Sequence, residues 1–155
     1  MIVRTMQPYE FDATMILFNY YRDEAIDSLP IIAEQYDENS MIETIRTYSI
    51  KNEYCWFNAY EGQRPVGFIA GYLTQCPWNK QLITANIGFV FLLESHRNMD
   101  NFKQLYRSFE EWAKTCHASE ITAGDIGINV DRSRRVYEHL GFTPILMMTK
   151  ELNNE

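Results

Sequence analysis

No run in this sequence approaches the roughly 18 consecutive apolar residues of a membrane-spanning helix, so no membrane span is expected. The start, Met1-Ile2-Val3-Arg4, lacks the apolar core of a secretory signal. Cysteine is scarce. Cys55, Cys76 and Cys116 are odd in number and widely spaced, and no pair has zinc-ligand or redox-motif spacing. They read as reduced thiols, which points to a cytoplasmic protein. His96, His117 and His139 form no metal pattern either, so no metal is expected. Positive charge is also thin: Lys and Arg total 14 against 21 Asp and Glu, giving a net charge of -7 and a pI near 5.0. That balance argues against nucleic acid as a partner, because its binding rests on phosphate neutralisation by Lys and Arg. It suits a cationic substrate, or no charged partner. Internal repeats, low-complexity stretches and linkers are missing as well.

What is there is the composition of a globular chain: 46% hydrophobic, 14% aromatic and 23% charged over 155 residues. The length fits one domain, residues 1–155, able to bury a sizeable core.

Ile2 to Thr5 predicts a short strand, and Pro8-Tyr9 opens a helix running to about Ala25, with Phe11, Met15, Leu17 and Phe18 as its apolar face. Pro30 breaks that pattern, and a second helix is predicted over Ser40 to Ile50. Tyr54 to Tyr60 and Val66 to Leu73 are rich in strand formers and flank the turn chemistry of Glu61 to Pro65, which predicts a hairpin. A further turn at Pro77 to Lys80 leads into a long strand, Leu82 to Leu93. Its apolar run from Phe89 suggests cover on both faces, and Gly88 is read as marking a bulge. After the polar stretch Glu94 to Asp100, the residues Phe102, Leu105, Tyr106, Phe109, Trp112 and Ala113 recur at helical spacing. Ile121 to Val130 predicts a strand. Asp131 is read as capping a short helix that ends at Leu140 before Gly141, and Phe142 to Leu152 as a closing strand. The order β-α-α-β-β-β-α-β-α-β implies an α/β domain, a mixed sheet with helices on both faces.

Within that order, Tyr137-Glu138-His139-Leu140-Gly141-Phe142 resembles the Y-E-K-L-G-F signature of the GCN5-related N-acetyltransferase (GNAT) superfamily, with His139 at the Lys position. It stands on the last helix before the final strand, as in that superfamily. The element order extends the resemblance over nearly the whole chain. Only the Tyr137 to Phe142 segment is specific.

The resemblance implies acetyl transfer from acetyl-coenzyme A to an amine by direct attack, on a small molecule or a protein. Tyr137 would protonate the departing thiolate. A phenol of pKa about 10 is protonated at neutral pH and can donate to sulfur. The pantetheine arm would pair with the backbone of Phe91, Leu92 and Leu93. The pyrophosphate would sit on the loop Arg97-Asn98-Met99-Asp100-Asn101-Phe102 at a helix N-terminus, where unpaired amides favour an anion. Arg97 matches the superfamily's loop, but Asp100 and Phe102 stand where that loop carries small residues. Asp100 is also expected to compete for the loop amides as a helix N-cap. Lys103 and Arg107 are either compensating charges or solvated ones. Arg132, Arg134 and Arg135 form the one dense basic cluster, with Arg134 placed toward the adenosine 3'-phosphate or in solvent.

Glu94 is the first candidate for the base that frees the amine, with His96 beside it; both also read as solvated loop residues. Asn129 and Asp131 stand near the position of an Asn that many superfamily members place before the Tyr helix, one residue off the common spacing. On the acceptor side, Tyr20, Tyr21, Asp23, Glu24, Asp27, Glu34, Tyr36, Asp37 and Glu38 read as a site for a cationic amine or as the solvated surface of an acidic protein. The altered loop motivates a second reading: a GNAT-fold protein without catalysis, serving as a binding or structural module, as a homodimer or within a larger assembly.

Overall fold

The computed structural model describes residues 1–124, 129–150 and 152. They form two compact units, Met1–Gly124 and Asp125–Glu155.

The first unit is built on a five-stranded sheet in the order β1-β2-β3-β4-β5, with β1 at Ile2–Thr5, β2 at Tyr54–Glu61, β3 at Arg64–Cys76, β4 at Asn79–Leu92 and β5 at Glu120–Thr122. The first four are antiparallel neighbours, and β5 runs parallel to β4. The hairpin and the long strand expected from alternation and turn chemistry are present. Residues Phe89 and Ile87 of β4 face Ala70 and Gly71 of β3, so Gly88 is the extra residue of a bulge.

Helices α1 (Phe11–Ser28), the single-turn α2 (Ile31–Gln35) and α3 (Glu38–Ile50) precede β2, while α4 (Met99–Thr115) connects β4 to β5. Pro30 ends α1 as expected, and it then opens α2 as a helix N-terminus, a turn the periodicity did not predict. Asp37 caps α3, accepting from the Ser40 amide at 2.8 Å.

One sheet face packs Trp56, Phe68 and Phe91 against Met15 and Phe18 of α1 and Met41 and Ile45 of α3. The other packs Val66, Ile69 and Leu92 against Leu105, Phe109 and Ala113 of α4. Each such side chain, taken fully out of water, contributes roughly 1.5–3 kcal/mol. Cover on both faces explains the unbroken apolar run at the end of β4. Inside the first core, Asn58 accepts from Trp56 Nε1 at 3.0 Å and donates to Thr14 Oγ1 at 2.7 Å and Tyr60 Oη at 3.1 Å.

The second unit holds α5 (Val130–His139). Two expectations change here. Val130 starts α5 rather than ending a strand, because Asn129 and not Asp131 is the cap: its side chain accepts from the Arg132 amide at 3.3 Å. The expected closing strand has no counterpart among the described residues of Phe142–Leu152. Ile145 and Leu146 are 81% and 84% exposed, and an apolar run becomes a strand only where a neighbour pairs its backbone. The centre of the strand expected over Ile121 to Val130, residues 125–128, lies outside the described residues, and its described part is β5.

Candidate functional site

The end of β4 is where the first unit offers an unpaired backbone. β5 pairs β4 only from Thr84 to Asn86. Beyond Asn86, that edge of β4 has no partner strand among the described residues. The Leu93 amide donates to Val66 of β3 at 2.9 Å, so Leu93 turns its backbone away from this edge. Backbone groups alternate between the two edges residue by residue, so Phe91 faces β3 with it, and Val90 and Leu92 face the open side. Of the three residues expected to pair with a pantetheine arm, only Leu92 presents its backbone there, and its carbonyl already accepts from Arg97 Nε at 2.7 Å. Val90 is the other residue of this stretch whose backbone faces that side. The Leu93 side chain lines a recess of about 190 Å3 with Ile16, Leu17, Tyr20 and Pro65.

Glu94 to His96 form a single 3-10 turn after β4, and α4 begins at Met99. Asn98 caps α4, accepting from the Asn101 amide at 2.9 Å. This corrects the expectation for Asp100, which sits two residues past the cap and instead places its carboxylate in the first turn of the helix. The loop is largely self-satisfied. The amides of Arg97, Asn98 and Phe102 donate to the carbonyls of Glu94, His96 and Asn98, and Asn101 Nδ2 donates to the His96 carbonyl. Met99 and Asp100 lead the helix, and their amides precede any intrahelical bond. Phe102 is a core-side residue of α4. Its half-buried ring packs into the α4 core with Leu105 and Phe109.

Arg97 is bound from two sides. Besides the Leu92 carbonyl, its guanidinium reaches the Glu24 carboxylate of α1 at 2.7 Å and lies 5.3 Å from the centroid of the Phe91 ring. Glu24 therefore serves Arg97, Asp23 pairs with Arg22 and Asp37 caps α3, so these members of the acidic cluster are structurally engaged. Tyr21 belongs to the core, edge-on to Phe68 and Phe91.

Of the two base candidates, Glu94 is exposed. His96 is engaged on both ring nitrogens: Nδ1 lies 2.8 Å from Ser95 Oγ and Nε2 lies 2.8 Å from Glu61 Oε2 at the end of β2.

In the second unit, the signature hexapeptide is a helix-ending motif. The Phe142 amide donates to the Tyr137 carbonyl at 3.1 Å and the Gly141 amide to the Glu138 carbonyl at 3.0 Å. Gly141 has φ +93°, the left-handed region this cap demands and a glycine enters without strain. The rings of Tyr137 and Phe142 meet edge-on at 5.2 Å, the apolar contact that accompanies such a cap. Arg134 pairs with Glu138 one turn away, Nε to Oε1 at 2.9 Å, in an exposed position.

Among the described residues no group of His, Cys, Asp or Glu is placed to hold a metal ion, and no helix is long and apolar enough to cross a membrane.

The profile of the Acetyltransferase (GNAT) family matches residues 16–142. No curated protein matches the chain by sequence. Among solved structures, the chain is similar to the aminoglycoside acetyltransferase AAC(6')-Iy in complex with the bisubstrate analogue CoA-S-monomethyl-acetylneamine, at TM-score 0.74 and 15% identity, covering 99% of this chain and 97% of that one. A structure described as a probable acetyltransferase aligns at TM-score 0.76 and 17% identity over 100% of both chains. The aminoglycoside 6'-N-acetyltransferase AAC(6')-Ih from Acinetobacter baumannii aligns at TM-score 0.71 and 15% identity, over 99% of this chain and 98% of that one.

Proposed function

Because this chain belongs to the GNAT acetyltransferase family, we propose that it transfers an acetyl group from acetyl-coenzyme A to a primary amine. The observation that carries the reading is the edge of β4 beyond Asn86, which has no partner strand among the described residues and where Val90 and Leu92 offer backbone groups to an extended, amide-bearing arm. Bound acetyl-coenzyme A would supply the acetyl group as a thioester.

The residues present fit that molecule along the strand edge. At the phosphate end they offer the amides of Met99 and Asp100, reinforced by the N-terminal end of α4. The positive charge of Arg97 reaches a phosphate only in exchange for Glu24. Arg134, exposed and held by Glu138, is the candidate for the adenosine 3'-phosphate.

In the reaction the amine nitrogen forms a bond to the acetyl carbon, and the carbon–sulfur bond breaks. Tyr137 gives its phenolic proton to the sulfur, and Glu94, directly or through water, takes the proton the amine must lose. Solvent then returns a proton to Tyr137. No covalent enzyme intermediate is required. Two of the structural neighbours are named as aminoglycoside acetyltransferases, which makes aminoglycosides the first acceptors to try, alongside simple amines and protein N-termini.

Calorimetric titration with acetyl-coenzyme A, followed by a thiol-release assay over that amine panel, tests the proposal. Saturable binding with amine-dependent thiol release is expected. Absence of binding at high micromolar acetyl-coenzyme A would overturn it. The noncatalytic binding module would then stand, which the self-satisfied phosphate loop favours.

A further inference from the structure

Along α1, Ala13, Ile16, Leu17 and Tyr20 stand at i, i+3, i+4 and i+7, which puts them on one stripe of the helix. With Pro65 of β3 and Leu93 just past β4, that stripe walls the recess of about 190 Å3. An apolar cavity of about 150 Å3 holds a benzene ring, so this one admits a body of that size. Leu17 is buried, but Ile16 and Tyr20 remain 61% and 54% exposed. Two large side chains therefore stand in water beside a space that an apolar body can fill.

The charge at the recess narrows what that body carries. Arg64 is the only charged residue among those that line it. The β2–β3 register sets Arg64 directly opposite Glu61, the arrangement in which a cross-strand ion pair forms. Glu61 is instead 2.8 Å from His96 Nε2. Glu24, one turn along α1 from Tyr20, is taken by Arg97. The Arg64 side chain makes no hydrogen bond or ion pair among the described residues, and the Tyr20 hydroxyl has no partner among them either. Arg97 must leave Glu24 to meet an anion, whereas Arg64 has no such partner to leave. One cation and one phenol beside an apolar space select an apolar molecule with a single negative charge. A guanidinium matches a carboxylate through two parallel N–H bonds. A phosphate dianion would leave one charge uncompensated in a chain of net charge -7.

We propose that this recess is a binding site for a small, ionised monocarboxylic acid. Its apolar body lies against Ile16, Leu17 and Leu93, its carboxylate pairs with Arg64, and Tyr20 donates a second hydrogen bond. The site is not the β4 edge offered to acetyl-coenzyme A, whose outward backbone groups belong to Val90 and Leu92. It goes beyond the acetyl-transfer reading and does not depend on it.

The test needs no acetyl-coenzyme A, so its outcome is independent of whether acetyl transfer occurs. The methyl signals of Ile16 and Leu93 are followed by NMR at pH 7 while 3-phenylpropanoate, its uncharged amide 3-phenylpropanamide, or acetate is added. Saturable shifts with a millimolar Kd are expected for 3-phenylpropanoate, as suits a molecule of its size. The amide is expected to bind about two- to five-fold more weakly, and acetate, which has no apolar body, not to saturate. In Arg64→Gln the acid is expected to fall to the affinity of the amide, with the amide unchanged. Arg64 is exposed, so this variant keeps the fold. Ala13→Leu fills the recess from α1 and is expected to weaken both ligands at least about five-fold. No saturation by about 20 mM acid, or an acid-over-amide preference that persists in Arg64→Gln, overturns the site. So does unchanged binding in Ala13→Leu. If the leucine variant fails to fold, Arg64→Gln and the Ile16 and Leu93 signals decide: saturable shifts that leave both residues unmoved overturn it.

Discussion

Arg97 spends its guanidinium on Glu24, with 2.7 Å between Nη2 and Oε1 across 73 residues of sequence. In doing so it ties the end of β4 to α1. The pair is partly solvated, with Arg97 and Glu24 side chains 28% and 50% exposed, so it is worth little net stability and can be exchanged. A phosphate competes with Glu24 for the same cation. Glu24→Gln is therefore expected to tighten acetyl-coenzyme A about two- to five-fold by calorimetry, with little change in melting temperature. Weaker binding in that variant would mean that the pair organises the site rather than competing with the ligand.

The Tyr137–Phe142 ring contact separates structure from catalysis at one residue. Tyr137→Phe keeps the ring, and with it the edge-on contact at 5.2 Å, but removes the proton. Stability should hold, while kcat falls about 100-fold with the KM for acetyl-coenzyme A nearly constant. A fall in KM and kcat together would assign the phenol to binding instead.

Asn58 is the hub of the first core. In Asn58→Ala, Trp56 Nε1 loses its acceptor and Thr14 and Tyr60 lose a donor, in a region with no water access. The expected cost is about 3 kcal/mol, read as a lower urea midpoint at unchanged slope.

Glu10 sets an acid limit. Burial works against its charge, but the Arg4 guanidinium, the Gln7 amide and the Tyr60 hydroxyl outweigh it and hold its carboxyl below the usual value of 4.5. A carboxylate whose folded pKa is lowered adds stability that is fully present above the unfolded value and is lost as pH falls through the folded one. Unfolding midpoints should therefore drop below about pH 4.5, and that part of the drop should disappear in Glu10→Gln.

Much of this was legible in the sequence because it is local. The hairpin, α4 and the glycine bulge are written in spacings of a few residues, and Tyr137 to Phe142 spells both a family signature and a helix cap. The failures have a common cause. Asn98 and Asp100 are both competent caps within one turn, and only the backbone geometry chooses between them. Which residues of β4 turn their backbone outward depends on pairing with β3, so no sequence pattern separates Val90 and Leu92 from Phe91 and Leu93. Glu24 could not be matched to Arg97 by any pattern, and an apolar tail reads as a strand whether or not a partner awaits it.

The bulge at Gly88 also acts as a reading-frame shift for side chains. Before it, Ala85 and Ile87 point toward α4 and Asn86 toward the other side; after it, Phe89 and Phe91 point toward α1 and α3, and Val90 and Leu92 toward α4. Odd and even positions exchange faces across a single residue. Deleting Gly88, the extra residue, would set Phe89 directly after Ile87 and leave every side chain on its present face, whereas pairing Gly88 regularly into the ladder would deliver two phenylalanines to the α4 layer and the smaller Val90 and Leu92 to the aromatic one. The strand can lose this residue and keep its faces, but it cannot keep the residue and lose the bulge.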